Sequence, residues 1–139
     1  MKKELKNTEQ DLFLSIKNLV DGTRSSVTQK VNFALTVLYW NIGKQINNVV
    51  LQNQRVSYGK LIVASLAEQL TVEYGKGFSK ASLSRMCTFH QHFSNFEIVA
   101  TLSQQLSWSH FIELISIKND LERQFYTQLC RVERWSVQN

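Results

Sequence analysis

No proline occurs anywhere in the 139 residues, and there are only five glycines. Proline is the hardest helix breaker, because it lacks a backbone N–H and its ring clashes with the preceding turn. Without it, helices here can stop only at glycines, caps and polar turns. Val27, Val31, Leu35, Leu38, Ile42, Ile46 and Val49 recur every three or four residues. That spacing gathers them on one helical face. The stripe, with Tyr39 and Trp40 beside it, is expected to be the central packing element. A shorter helix should precede it, from about Thr8 to Val20, closed by Asp21-Gly22. Polar Gln52 to Arg55 reads as the following loop. A third helix is expected from Ser57 to Tyr74, with Ile62, Leu66, Leu70 and Tyr74 at four-residue steps. Gly75-Lys76-Gly77 should end it, since glycine just past a helix C-terminus adopts the left-handed conformation readily.

Ser79 is placed to cap a fourth helix reaching about Phe93, its hydroxyl accepting from a free first-turn amide. On the helical wheel Leu83, Met86, Cys87, Phe89, His90 and Phe93 fall on one broad side. Lys80, Ala81, Ser84, Arg85, Thr88, Gln91 and His92 fall on the other. A short helix is expected over Glu97 to Leu106, then one capped by Ser107 or Ser109 and running through Ile117. Asn119 should cap a last helix with Leu121, Phe125, Leu129 and Val132 inward. No period-2 run reaches strand length. The expected fold class is all-α: a compact helical bundle containing a helix-turn-helix or winged-helix-like element. Residues 1–139 read as one domain, with about 1–11 as a charged tail.

With 43% hydrophobic and 19% charged residues, a chain of this length can bury a sizeable core without disulfide or metal staples. Cys87 and Cys130 stand apart, in no metal-ligand spacing. Lone thiols with no secretion signal point to a reduced, cytoplasmic setting. No segment approaches the roughly 20 apolar residues that span a bilayer, so no membrane partner is expected. Glu68 and Glu73 diverge on a helix, and His90 and His92 are two apart, unlike metal-binding pairs four apart; His90, on the apolar side, reads as a hydrogen-bonded core histidine. No phosphate-binding glycine loop or nucleophile elbow is present. The chain therefore reads as non-catalytic, with no cofactor and no metal.

Charge is the positive signal. Residues 22–96 hold eight Lys/Arg against Glu68 and Glu73, a net +6, whereas the remaining residues hold eight against nine acids, a net −1. Such a bias suits an anionic partner; it also fits cations spread round solvated faces. Residues 61–93 read as helix, glycine turn, capped helix. In a helix-turn-helix, the start of the second helix enters the major groove. Lys76, Lys80, Ser84, Arg85, Thr88 and His92 are accordingly the candidate nucleic-acid-binding residues. A second helix–turn–helix candidate spans Thr101 to Ile117, but Glu113 and a mostly apolar second helix suit packing better than a polyanion. Ser107, Trp108 and His110 are candidates for a protein interface.

Leu38-Tyr39-Trp40-Asn41-Ile42-Gly43, Tyr58-Gly59-Lys60, Tyr74 to Ser79, Ile98 to Phe111, Phe125-Tyr126 and Glu133 to Val137 occur in an order that resembles the N-terminal domain of the bacterial YhcG family. The resemblance runs from about Leu12 to the end. It implies a helical, winged-helix-like DNA-binding module that usually precedes a PD-(D/E)XK nuclease domain. The nuclease half is absent from this chain: its only Glu-x-Lys, Glu4-Leu5-Lys6, has no strand pattern around it, and Ser136 reads as the cap of a helix that would follow. The sequence departs from the family at Ala81, Ser82 and Cys87, where relatives are richer in arginine and asparagine. Lys80 and Arg85 remain as the cations of that helix. The partners implied are DNA and a C-terminal nuclease domain. The competing reading is a docking or homodimerisation domain with no nucleic-acid contact.

Overall fold

The computed structural model describes residues 2–53 and 56–133. All six elements are helices: α1 (Lys2–Asn53), α2 (Val56–Tyr74), α3 (Lys80–His92), α4 (Phe96–Ser103), α5 (Trp108–Ile115) and α6 (Asp120–Glu133). No strand occurs among the described residues. Two compact units are distinguished, residues 1–31 and 32–139. The first is one stretch of α1. The second holds the rest of α1 and the other five helices. The expected Ser136 cap, the final Arg134 to Val137 motif, and Gln54-Arg55 of the expected loop lie outside the described residues.

The expected break at Asp21-Gly22 does not occur, and α1 continues through it. A glycine inside a helix costs about 1 kcal/mol relative to alanine, which weakens a helix without stopping it. A glycine ends a helix by turning left-handed; Gly75 (φ 83°) and Gly77 (φ 113°) take that conformation after α2, whereas Gly22 does not. Asp21 instead accepts from the Lys17 ammonium at 2.8 Å, one turn back.

In the second unit α3 is the hub. Its Leu83 and Met86 pack with Ile46 of α1 and Ala67 of α2. Its Phe89 packs with Trp40, Val99, Leu102, Leu106, Phe111, Leu114, Ile115 and Cys130. The Trp108 ring touches both groups, 5.2 Å from Phe89 and 5.0 Å from Tyr39 between centroids. Each fully buried Val, Leu, Met or Phe side chain among these contributes about 1.5–3 kcal/mol. The expected inward face of α3 is the observed one, with Leu83, Met86 and Phe89 buried. Capping fixes the helix starts. Ser79 Oγ accepts from Ser82 N at 3.1 Å, Asn95 Oδ1 from Glu97 N at 2.9 Å, and Asn119 Oδ1 from Glu122 N at 3.0 Å.

Two helices are rotated from the expected phase. In α1 the buried side chains are Thr36, Trp40, Ile46 and Asn47, while Val27, Val31, Leu35, Leu38 and Val49 of the apolar stripe are exposed. The reason is that α1 crosses the α3 backbone at Gly43: a Cβ there would run into the Met86 carbonyl, 2.5 Å from its carbon. Only a glycine face can pass that closely. Flanking it, Trp40 Nε1 donates to Phe93 O at 2.6 Å and Asn47 Nδ2 donates to Cys87 O at 2.9 Å. In α6, Arg123, Thr127 and Cys130 turn inward, and Leu121, Phe125 and Val132 are exposed. Arg123 sets that rotation. Its guanidinium donates to Ile117 O at 2.7 Å, beyond the end of α5, and pairs with Asp120. A buried guanidinium must keep such partners.

Gly43→Ala is expected to destabilise the second unit by about 3 kcal/mol, because a packed backbone cannot yield as a side chain can. Gly22→Ala, with nothing within 4 Å of its Cβ, should be neutral or stabilise by up to about 1 kcal/mol. Urea unfolding followed by tryptophan fluorescence checks both. Equal, small effects would show that α1 does not cross α3 at this glycine.

Candidate nucleic-acid interface

The α2–turn–α3 segment places the candidate residues at the start and along the outer side of one helix. α2 ends at Tyr74, residues 75–79 turn through two left-handed glycines, and α3 begins at Lys80 under the Ser79 cap. Lys76, Lys80, Ser84 and Arg85 are exposed, and Thr88 and His92 are half-buried. Lys80, Ser84 and Thr88 follow each other at four-residue steps, and Thr88 Oγ1 donates to Ser84 O at 3.0 Å. Among the described residues neither Lys80 nor Arg85 forms an ion pair. Lys80 borders a shallow depression that Glu68 of α2 also lines. Lys76, Lys80, Ser84 and Arg85 thus lie exposed near the start of α3, with its free amides and positive dipole end nearest Lys80. Helix N-termini favour anions for that reason.

His92 belongs to a second surface. It lines a groove of about 970 Å³ with Asn95, Thr101, Asp120, Arg123, Gln128 and Arg131 among its other walls. Burial and the nearby Arg123 charge lower the His92 pKa, against a smaller opposing pull from Asp120. Sequence spacing put His92 with Lys80, but could not bring Arg131 and the α6 amides beside it, because that juxtaposition is made only by tertiary packing.

Behind the exposed face, α3 is held by a polar cluster in which His90, expected on the apolar side as a hydrogen-bonded histidine, is half-buried and bonded to Asn47. Asn47 Nδ2 reaches both Cys87 O and His90 Nδ1 at 2.9 Å, and Gln91 Nε2 donates to Asn47 Oδ1 at 3.4 Å. Since the Asn47 amide donates, His90 Nδ1 must be unprotonated. Burial and the nearby Lys44 charge both lower the His90 pKa. Burial likewise pushes the Cys87 thiol upward, away from the thiolate form that nucleophilic chemistry requires. The sequence signal for this cluster was His90 on the apolar side of α3; its partner Asn47, an ordinary-looking polar residue near the end of the apolar run, carried none.

Ser107, Trp108 and His110 are half-buried and engaged within the fold. Ser107 N donates to His110 Nδ1 at 3.0 Å, closing the α5 N-terminus, and Trp108 lies against Tyr39 and Phe89. Among the described residues no group of three or more His, Cys, Asp and Glu side chains could hold a metal ion. No described helix is long and apolar enough to cross a membrane.

Comparison with known proteins adds two findings. Residues 15–139 match the family described as the DUF1016 N-terminal domain. The chain is also 27% identical, over 92% of its own length, to a protein of Escherichia coli (strain K12) named "Putative nuclease YhcG". It spans 42% of that relative's length. No solved structure matches.

The histidine geometry has a pH consequence. A histidine with a lowered folded-state pKa leaves the unfolded chain holding more protons below its ordinary 6.5. Stability is therefore full above about 6.5 and falls as pH drops through the folded value. The thermal midpoint is expected to fall between about pH 7.5 and 5.5, above the range where carboxylates titrate. His90→Gln, which cannot titrate, should flatten that fall. An unchanged slope in His90→Gln would exclude His90 as a source.

Proposed function

We propose, from the premise that the chain belongs to the DUF1016 N-terminal domain family, that it is the non-catalytic DNA-binding module of a YhcG-type nuclease-family protein. Residues 1–139 act as one functional domain, and a C-terminal PD-(D/E)XK nuclease domain of the longer protein performs the cleavage. In this reading α2 and α3 work as a helix-turn-helix-like pair, and α3 meets the duplex.

The observation that carries the proposal is the outward face of α3. Lys76, Lys80, Ser84 and Arg85 are exposed together at a capped helix start, within the stretch of net +6. The opposite face is locked to α1 by Asn47 and Trp40, so the helix is a rigid platform. Lys80 and Arg85 are assigned to phosphates. The small side chains of Ser79, Ala81 and Ser82 beside them offer little of the bidentate contact that reads bases. Recognition of backbone without strong base readout suits a domain whose nuclease partner performs the chemistry.

The double substitution Lys80→Ala/Arg85→Ala tests this. Binding should weaken about equally for all DNA sequences. The slope of log K against log salt should flatten by roughly two units, one for each phosphate that is no longer neutralised. Fold stability should stay within about 0.5 kcal/mol, since both side chains are exposed. Lys2→Ala/Lys3→Ala, in the electrically balanced first 21 residues, serves as the control. A larger loss from the control pair, or no affinity at low salt for any duplex, would sink the proposal.

A further inference from the structure

The first unit is a single stretch of helix, so nothing within it can cover its own apolar side. At 100° per residue, Leu12, Phe13, Ile16, Leu19, Val20 and Val27 fall within an arc of about 120°. Thr23 is the only polar residue on that arc between Leu12 and Val27. The exposure is large, 64% for Phe13 and 69% for Leu19. Helices in water draw most of their stability from packing such a face.

Two charges bound the face on the same arc: Glu9, one turn before Leu12, and Lys30, one turn after Val27. Both are exposed, and neither forms an ion pair among the described residues. Asp11, Lys17, Asp21 and Arg24, the other charged residues between them, lie outside the arc.

We propose that the chain forms a twofold dimer in which residues 9–30 of two copies pair as antiparallel helices. The occupant is a second copy because the stretch is its own complement. Glu9 and Lys30 are equally far from a midpoint between Leu19 and Val20. A twofold axis at that midpoint sets Glu9 level with the partner's Lys30 at both ends. Inward from there, Leu12 comes level with the partner's Val27, Ile16 with the partner's Thr23, and Leu19 with the partner's Val20. In the pairs Glu9–Lys30, Leu12–Val27 and Leu19–Val20 the two members stand on opposite sides of the arc's midline, so they pass beside each other and interdigitate. The two charges on the face thus meet each other, and each of these apolar side chains meets an apolar or small one. Parallel pairing would set Glu9 against Glu9 and Lys30 against Lys30, and such repulsion selects the orientation. The antiparallel arrangement does gather Lys17 and Arg24 of both copies on one flank. They lie in solvent outside the seam, and Lys17 is already paired with Asp21, so screening keeps that cost small.

Size agrees with a modest affinity. A strip about 33 Å long and about 15 Å round each helix buries on the order of 1,000 Å² in all, the lower bound of a specific interface. One isologous contact closes the assembly at two copies. The outward face of α3 takes no part, so the inference stands apart from the DNA-binding reading.

Sedimentation equilibrium tests it. The wild-type chain, 16.1 kDa as a monomer, is expected at twice that mass at tens of micromolar. Leu19→Glu sets two carboxylates beside the axis and should weaken association about 100-fold. Leu14→Glu, also exposed but on the far side of the helix, should leave it unchanged. Cooperative urea unfolding monitored by tryptophan fluorescence verifies that the second unit is folded in each variant. Charge exchange is the discriminating step. Glu9→Lys and Lys30→Glu each bring like charges together at both ends, so each should weaken association about tenfold. The double variant Glu9→Lys/Lys30→Glu restores both pairs in reverse and should dimerise as tightly as wild type. A wild-type monomer at all concentrations, a Leu14→Glu loss as large as that of Leu19→Glu, or a double variant no tighter than either single one would each overturn the proposal.

Discussion

α1 crosses α3 at Gly43, where a missing side chain lets the α1 backbone rest on the carbonyl of Met86. Everything else in the second unit is arranged around that contact. Trp40 and Asn47, about one turn to either side, anchor α3 by hydrogen bonds to Phe93 O and Cys87 O. With α3 fixed, Leu83 and Met86 face one group of core residues and Phe89 the other. The outward row of Lys80, Ser84 and Arg85 is then set by helical geometry alone. A close crossing of two backbones tolerates little displacement, because dense interiors transmit even small volume changes. Rigidity of the presented face thus follows from one glycine and two polar anchors more than from the apolar content of α1.

The same contact explains what could and could not be read from the sequence. Caps and terminators were legible because they act locally: Ser79, Asn119 and the Gly75–Gly77 turn each signal through backbone groups within a few residues. The inward side of α3 was legible too, since a short helix at the centre of a core has one apolar side to bury. The rotation of α1 was not. Periodicity assigns the apolar stripe to the core with Trp40 beside it; Trp40 and Ile46 are buried, but so are the polar Thr36 and Asn47, while Val27, Val31, Leu35, Leu38 and Val49 are exposed. In α6 a single buried guanidinium, Arg123, overrides the Leu121–Val132 pattern, because an unpartnered buried charge is far more costly than an exposed leucine. Both departures share a cause: polar contacts outweigh apolar patterning, reaching across the chain for Trp40 and Asn47 and within one or two turns for Arg123.

At the candidate interface, helical spacing anticipated which α3 residues face outward, while tertiary structure supplied what lies behind and beside them. Asn47, His90 and Gln91 tie the inner side of α3 to α1. His92 joins a groove shared with α6 rather than extending the row from Lys80. The cationic footprint is accordingly compact, centred on the α2–α3 turn and the first two turns of α3. A few cations at a helix start suit recognition of the sugar–phosphate backbone, whose contacts position a protein without reading sequence.

The most direct test of the central claim is to locate DNA on the surface. Backbone amide signals of the ¹⁵N-labelled chain would be followed by NMR while a short duplex is added at low salt. The account predicts that shifts concentrate from Lys76 to Thr88, are largest near Lys80, Ser84 and Arg85, and fade as salt is raised. Shifts centred on α6 or on residues 12–31, or a spectrum unchanged by DNA, would contradict it.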